Sequence, residues 1–358
     1  MRDRCLRTTL MSWIGAPLAS IARVTAFRSP IGTASTGILV LAVPAAVAVD
    51  AIGSRQGGID RACLYLFLCF VIQAVVVVVV FVSPSARAAL VSLIPPTGNL
   101  SPTHSLRMRG FSHAGGSYVA AAQAIGLLLG GHLLLSGGTR TVWRLLGLAL
   151  AIILILVSIL LTGRTGFLIL PIVLVHIGWG VVARVRSRVR PTTMLALFLV
   201  VLTVTTTTYT VVVRRSDILR PAFDRVAAEF VSDGSGGLRS RTLSVLFGRM
   251  WFAPESALQF AIGDGSTWEE RRIRSDVGVI RRLHATGLVG VMLTFAAVGA
   301  LAWPAFRRAA TPTERRLILL LLLWAFALEF KEPFATTSGI AAPLMILSVA
   351  ASRAYVRT

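Results

Sequence analysis

The chain has 358 residues, of which 55% are hydrophobic and 14% charged, and its mean hydropathy is +0.77. A composition this apolar excludes an ordinary water-soluble domain and predicts a chain that crosses a lipid bilayer many times. The net charge of +21 raises nucleic acid as a partner, but the arginines are scattered over short connections with no aromatic-interleaved basic domain, so the lipid bilayer and phosphate groups are expected instead and nucleic acid is not.

In chain order, the first apolar run covers 10–27 and contains Pro17 and Arg23, which leaves it open between a spanning and an interfacial helix. It lacks the pattern of a signal peptide. Runs able to cross about 30 Å of hydrocarbon, which takes roughly 20 apolar residues, follow at 32–52, 63–84, 117–136, 143–162, 166–183 and 193–213. A hydrophilic stretch, 214–283, then holds nine of the fifteen acidic residues and twelve arginines. Three more runs, 284–303, 316–330 and 338–352, close the chain, and the middle one is short enough to sit inside a bundle. The expected fold is an all-α polytopic integral membrane protein with nine or ten transmembrane helices. Its parts are N-terminal helices in 1–213, one large extracytoplasmic loop in 214–283 and C-terminal helices in 284–358.

Orientation follows from cationic residues in short loops. Arg184, Arg186, Arg188 and Arg190, with Arg307, Arg308, Arg315 and Arg316, mark two cytoplasmic connections, so the loop between them lies outside. Counting helices places 85–116, the turn at Arg164 and the turn at 331–337 on the same outer side. An intracellular amino terminus with Arg2, Arg4 and Arg7 requires the first run to span, which favours ten helices over nine.

Several arginines converge on that outer side: Arg107 and Arg109, Arg164 in TGRTG, Arg239 and Arg241 in SGGLRSR, and the stretch from Arg271 to Arg282 that includes Arg274 and Arg281. Guanidinium groups engage phosphate oxygens in pairs and stay charged, which suits a pyrophosphate held without a metal ion. Each of them has a bland alternative as a solvated charge. Arg164 stands apart because its turn joins two long apolar runs within a few residues, where a charge must snorkel or bind.

Asp276 and His284 lie about two helical turns apart at a membrane boundary. A carboxylate there is suited to act as general base or to orient a sugar hydroxyl; equally, Asp276 is placed to cap a helix and His284 to anchor at the interface. Glu329, Lys331 and Glu332 in EFKEPF form a further charge cluster at an outward helix end, open between pairing and substrate contact. Cys5, Cys63 and Cys69 lack metal-ligand spacing, His104, His113, His132 and His176 stand isolated, and no phosphate-binding loop or nucleophile elbow occurs. Neither a metal nor a cofactor is expected.

Three segments resemble the O-antigen polymerase and O-antigen ligase superfamily, the Wzy-type polymerases and related ligases of bacterial surface polysaccharides. RMRGFSHAGGSYVAAAQAIGLLL at 107–129 is similar to the family's Arg-x-x-Gly-Phe lead into a helix. LLTGRTGFLIL at 160–170 resembles its Ser/Gly-Arg-Thr turn, and SDVGVIRRLHATGLVG at 275–290 its closing motif after the large loop. FKEPF at 330–334 is also similar to polymerase members. Ligase-type members place His-Asn eleven and ten residues before the glycine matched by Gly287, where this chain has Asp276 and Val277, which favours polymerase over ligase. Val279 replaces the motif's usual tyrosine.

The resemblance implies transfer of a growing glycan from undecaprenyl pyrophosphate to another lipid-linked oligosaccharide repeat unit in the cell membrane. Under it, Arg164 and Asp276 are the catalytic residues. Arg109, Arg239, Arg241, Arg274, Arg281 and His284 contact pyrophosphate or glycan, and a flippase and a chain-length regulator are protein partners. A ligase, or a lipid-linked glycan transporter, is the alternative.

Overall fold

The computed structural model describes residues 58–93, 116–136, 142–185, 248–265, 275, 277–332 and 338–355. The runs expected at 10–27, 32–52 and 193–213, and most of the loop 214–283, lie outside the described residues. Those described form helices and no strands. Among the described residues, four helices are long and apolar enough to cross a bilayer, and they coincide with the runs at 63–84, 117–136, 143–162 and 284–303.

Helix α1 (Gly58–Val82) is apolar over most of its length, with an unbroken valine run at 75–80, and ends before Pro84, which has no N–H to donate to the carbonyl of Val80. Arg87 supplies the donors instead, Nε to Val80 O at 3.3 Å and Nη2 to Phe81 O at 3.3 Å. Arg87 belongs to α2 (Pro84–Leu93), a short helix within the stretch expected to be a connection. The Ser83 hydroxyl starts it by accepting from Ala86 N at 3.2 Å.

Helix α3 (Gly116–Ser136) is the hub. Its spanning window is 83% buried, against 28% for α1, and it packs against α1, α4 (Val142–Thr162), α5 (Leu170–Val185) and α8 (Pro312–Glu329). Small residues make this possible: Ala120, Ala121 and Ala124 are buried, and Gly126 and Gly130 leave room for Phe67 and Phe70 of α1 and Ile152 and Ile155 of α4 to pack against the α3 backbone. Apolar surface therefore faces protein on α3 and outward on α1 and α4, where Leu64, Ile72, Trp143 and Leu150 are exposed.

The span expected at 166–183 is two pieces. Residues Arg164–Ile169 form a 3₁₀ helix and α5 starts afresh at Leu170, with Pro171 in its first turn where a missing N–H costs nothing. The tighter helix rises about 2 Å per residue, so α5 needs fewer α-helical residues to reach across the bundle. The run at 316–330 corresponds to α8, which buries Leu317, Leu321, Trp324 and Leu328 on one face and leaves Leu319 and Leu323 exposed on the other, so it lies at the side of the bundle and not inside it. A capping box starts it, with Thr311 and Glu314 exchanging side-chain and backbone bonds. The chain ends its described part in α9 (Ser338–Tyr355), packed along α7.

Helix α7 (Gly278–Arg308) begins six residues before the expected boundary at 284 and is broken at Gly287, where φ is 67° and ψ −174°. The break exposes carbonyls of its first half, and the segment after the short α6 (Ala257–Ile262) fills them: Asp264 N donates to His284 O at 2.8 Å and Gly265 N to Ala285 O at 3.1 Å. Irregular backbone at membrane depth survives only where such partners exist. A Cβ on Gly287 would run into the backbone of Ala261 and Ile262. Gly287→Ala therefore combines a left-handed φ, costing about 1–3 kcal/mol, with a clash against backbone. Thermal unfolding of the full chain in detergent should show a Tm several degrees lower, and an unchanged Tm would contradict the close approach.

Candidate functional site

One group of polar side chains gathers where α3 and α7 start and α4 and α8 end. Helix α4 keeps its α-type bonding as far as Gly163, whose N donates to Ile159 O at 2.9 Å, before the chain tightens into the 3₁₀ turn. Thr162 Oγ1 donates to Ser158 O at 2.8 Å, so its hydroxyl is spent on the helix end. The 3₁₀ turn that follows lies directly on α3: a Cβ on Gly166 would meet Ala120 O at 2.5 Å and Ile159 Cγ2 at 2.6 Å, so only glycine permits the fit. This places buried Thr165 beside the end of α8, where its hydroxyl bonds the Lys331 ammonium.

Past the end of α8 the chain turns back on itself, with Lys331 N and Glu332 N both bonded to Leu328 O at 2.9 Å. The turn aims successive charges at different helices. Glu332 Oε2 accepts from Ser117 Oγ on α3 at 3.1 Å. Glu329 is fully buried and receives Arg282 of α7 side-on, Nε to Oε2 at 2.9 Å and Nη2 to Oε1 at 3.2 Å. A carboxylate without water needs such a partner, and two N–H donors in a fixed fork satisfy both oxygens. Trp324 Nε1 adds a bond to Ala121 O at 3.2 Å, fixing α8 to α3 one turn deeper.

An aromatic layer covers this cluster. Trp251 stacks on Phe330 with ring centroids 5.9 Å apart, and Phe252 meets His284 at 5.1 Å. Both belong to the stretch expected to be a hydrophilic loop. Its part 248–265 is instead apolar, with Leu258 and Ile262 of α6 exposed, a composition suited to a bilayer interface. The signal was present in MWF and ALQFAI but was outweighed by the charges around them.

Of the expected site residues, Asp276, Arg109, Arg239, Arg241 and Arg274 lie outside the described residues. Arg164 is placed by its backbone, as the first residue of the 3₁₀ turn. Arg281 donates Nε to Ser275 O, and Ser275 Oγ in turn donates to Met250 O at 2.8 Å, so Arg281 helps tie the start of α7 to the aromatic layer. His284 packs on Phe252, and its buried Nε2 has no hydrogen-bond partner. The N-cap of α7 is Val277, which makes no side-chain cap bond; Ser275 Oγ accepts from Val277 N at 3.1 Å. Sequence reasoning missed Ser117 and Thr165, and it took Arg282 only as one arginine among several.

His132 and His176 are not isolated. At the far end of α3 their rings stack with centroids 6.0 Å apart, and His132 Nε2 lies 3.1 Å from Asp60 Oδ1 of α1. Both imidazoles are fully buried. Separations of 72 and 44 residues along the chain hid this group.

Fold and site together define an all-helical membrane protein with a polar cluster at one end of its bundle. The chain matches no protein-family model, no curated protein and no solved structure.

Removing one member of the buried pair strands the other charge, which costs about 3–5 kcal/mol, whereas replacing both with apolar residues is close to neutral. Arg282→Met should accordingly lower the Tm of the full chain in detergent markedly, and Arg282→Met with Glu329→Leu should recover most of the loss. Equal Tm values for the single and double variants would contradict the pairing.

Proposed function

We propose that this protein is a membrane glycosyltransferase that polymerises undecaprenyl-pyrophosphate-linked oligosaccharide repeat units into surface polysaccharide. What supports the reading above all is that the segments carrying the family resemblance, far apart in sequence, meet at one end of the bundle. The start of α3 contributes Ser117, the TGRTG turn Thr165, the closing motif Arg282 and the FKEPF turn Lys331 and Glu332. Ten spans in the cell membrane put this end, with the loop 214–283, on the extracytoplasmic side. The Asp276-Val277 pair, in place of the ligase branch's His-Asn, favours polymerase.

In the proposed reaction the glycosidic carbon of the growing chain leaves its pyrophosphate oxygen and bonds to a hydroxyl oxygen of the acceptor unit, with inversion. Asp276 takes the hydroxyl proton, and undecaprenyl pyrophosphate departs with the bonding electrons. Arg164, with Arg239 or Arg241, offsets the charge gathering on the leaving group, while Arg109, Arg274, Arg281 and His284 hold pyrophosphate and glycan. No metal or nucleotide sugar takes part. Lys331 and Glu332 act as positioning residues, locking the TGRTG turn and α3 to the end of α8 so that Arg164 is held in place.

A lipid-linked glycan transporter is the second reading, favoured by the buried His132 and His176 with half-exposed Asp60 beside them at the opposite end. Products separate the readings. A strain lacking the protein should display single repeat units, and Arg164→Ala should fail to restore long chains while remaining in the membrane, as expected from a transfer rate about 100-fold or more lower. Normal chain length with Arg164→Ala contradicts the assignment. Unattached full-length polymer in the deletion strain points to a ligase, and lipid-linked units retained on the cytoplasmic side point to a transporter.

A further inference from the structure

At the end of the bundle opposite the polar cluster, α7 and α8 meet at a short turn, 309–311, and enclose an apolar groove just before it. The groove measures about 490 Å³, within the roughly 300–1,000 Å³ of ligand pockets. Trp303 and Phe306 of α7 line one wall, and Leu319 and Leu322 of α8 the other. Trp303 is 56% and Leu319 49% exposed, so the groove opens away from the bundle.

The stripes that form both walls end in arginine. On α7, Gly299, Trp303 and Arg307 recur at every fourth residue; on α8, Arg315, Leu319 and Leu322 share a face at i, i+4 and i+7. Arg307 lies over the Trp303 ring with its guanidinium carbon 5.7 Å from the centroid, so its charge stands at the mouth of the groove. Arg307 and Arg315 are both exposed. The neighbouring acid, Glu314, is occupied by the capping box, accepting from Ala310 N at 2.7 Å and Thr311 N at 3.1 Å.

We propose that this groove binds an anionic phospholipid of the surrounding bilayer, an acyl chain lying along Trp303 and Leu319 and the headgroup phosphate held between Arg307 and Arg315. The lining accepts any acyl chain, so selectivity falls to the arginines. Each engages phosphate oxygens in pairs and is offset by no headgroup cation when the lipid is anionic. Basic residues at a membrane surface favour acidic lipid by roughly five-fold each. The site depends on membrane location and not on the glycosyl-transfer reading.

The test reconstitutes the full chain in phosphatidylcholine vesicles containing brominated phosphatidylglycerol or, separately, brominated phosphatidylcholine. Tryptophan quenching is measured for wild type and for Trp303→Phe, whose difference isolates Trp303. Brominated phosphatidylglycerol should half-quench this component at about one twenty-fifth of the mole fraction that brominated phosphatidylcholine requires, five-fold for each of the two arginines. Arg307→Gln with Arg315→Gln should abolish the difference. Equal quenching of wild type by both lipids overturns the site. So does protection of Trp303 from both, the result expected if a second copy of the chain fills the groove.

Discussion

Burying Glu329 without water is the constraint around which this end of the protein is arranged. An isolated carboxylate in a low-dielectric bundle is strongly disfavoured, and the Arg282 fork removes that penalty only if α7 and α8 stay in one register. That register brings the turn after α8 onto α3 and onto the 3₁₀ turn at Arg164, through Glu332 with Ser117 and Lys331 with Thr165. Four helix ends are thereby fixed by side chains whose partners lie on other helices. A bundle held by lipid-like surfaces alone would lack that specificity, since lipid tails are as apolar as leucine.

Fixed helix ends let the backbone depart from regularity beside them. Helix α7 breaks at Gly287, and its freed carbonyls are taken by the segment that follows α6. The stretch that precedes α6 carries Trp251 and Phe252 over Phe330 and His284, joining the break, the ion pair and the aromatic layer in one unit. A change in the loop would thus reach Arg282 through a single short half-helix. Burial lowers the local dielectric, so the fully buried Glu329 carboxylate and Arg282 attract each other more strongly than they would in water.

Where helices lie was largely legible in the sequence, because twenty apolar residues in a row leave few alternatives. The 63–84, 117–136 and 143–162 runs return as α1, α3 and α4. Their burial was less legible. Helix α3 differs from α1 in small residues, not in hydropathy alone, and that difference makes it the hub. The split at 166–183 was written in Pro171 and the start of α2 in Ser83-Pro84, both overshadowed by their apolar surroundings. Cross-chain pairs were not legible at all: Arg282 with Glu329, Thr165 with Lys331 and His132 with His176 depend on packing that no local pattern encodes. Glycine at 287 was visible as part of a motif, but its positive φ became apparent only with Ala261 and Ile262 packed against it.

The most direct measurement is glycosyl transfer by the purified full chain in proteoliposomes, supplied with lipid-linked repeat units extracted from a strain that lacks it. A polymerase should yield a ladder of lipid-linked polymers, with one undecaprenyl pyrophosphate released for each bond formed. Unreacted single units in the presence of folded protein, or movement of the units across the bilayer without bond formation, would contradict that reading.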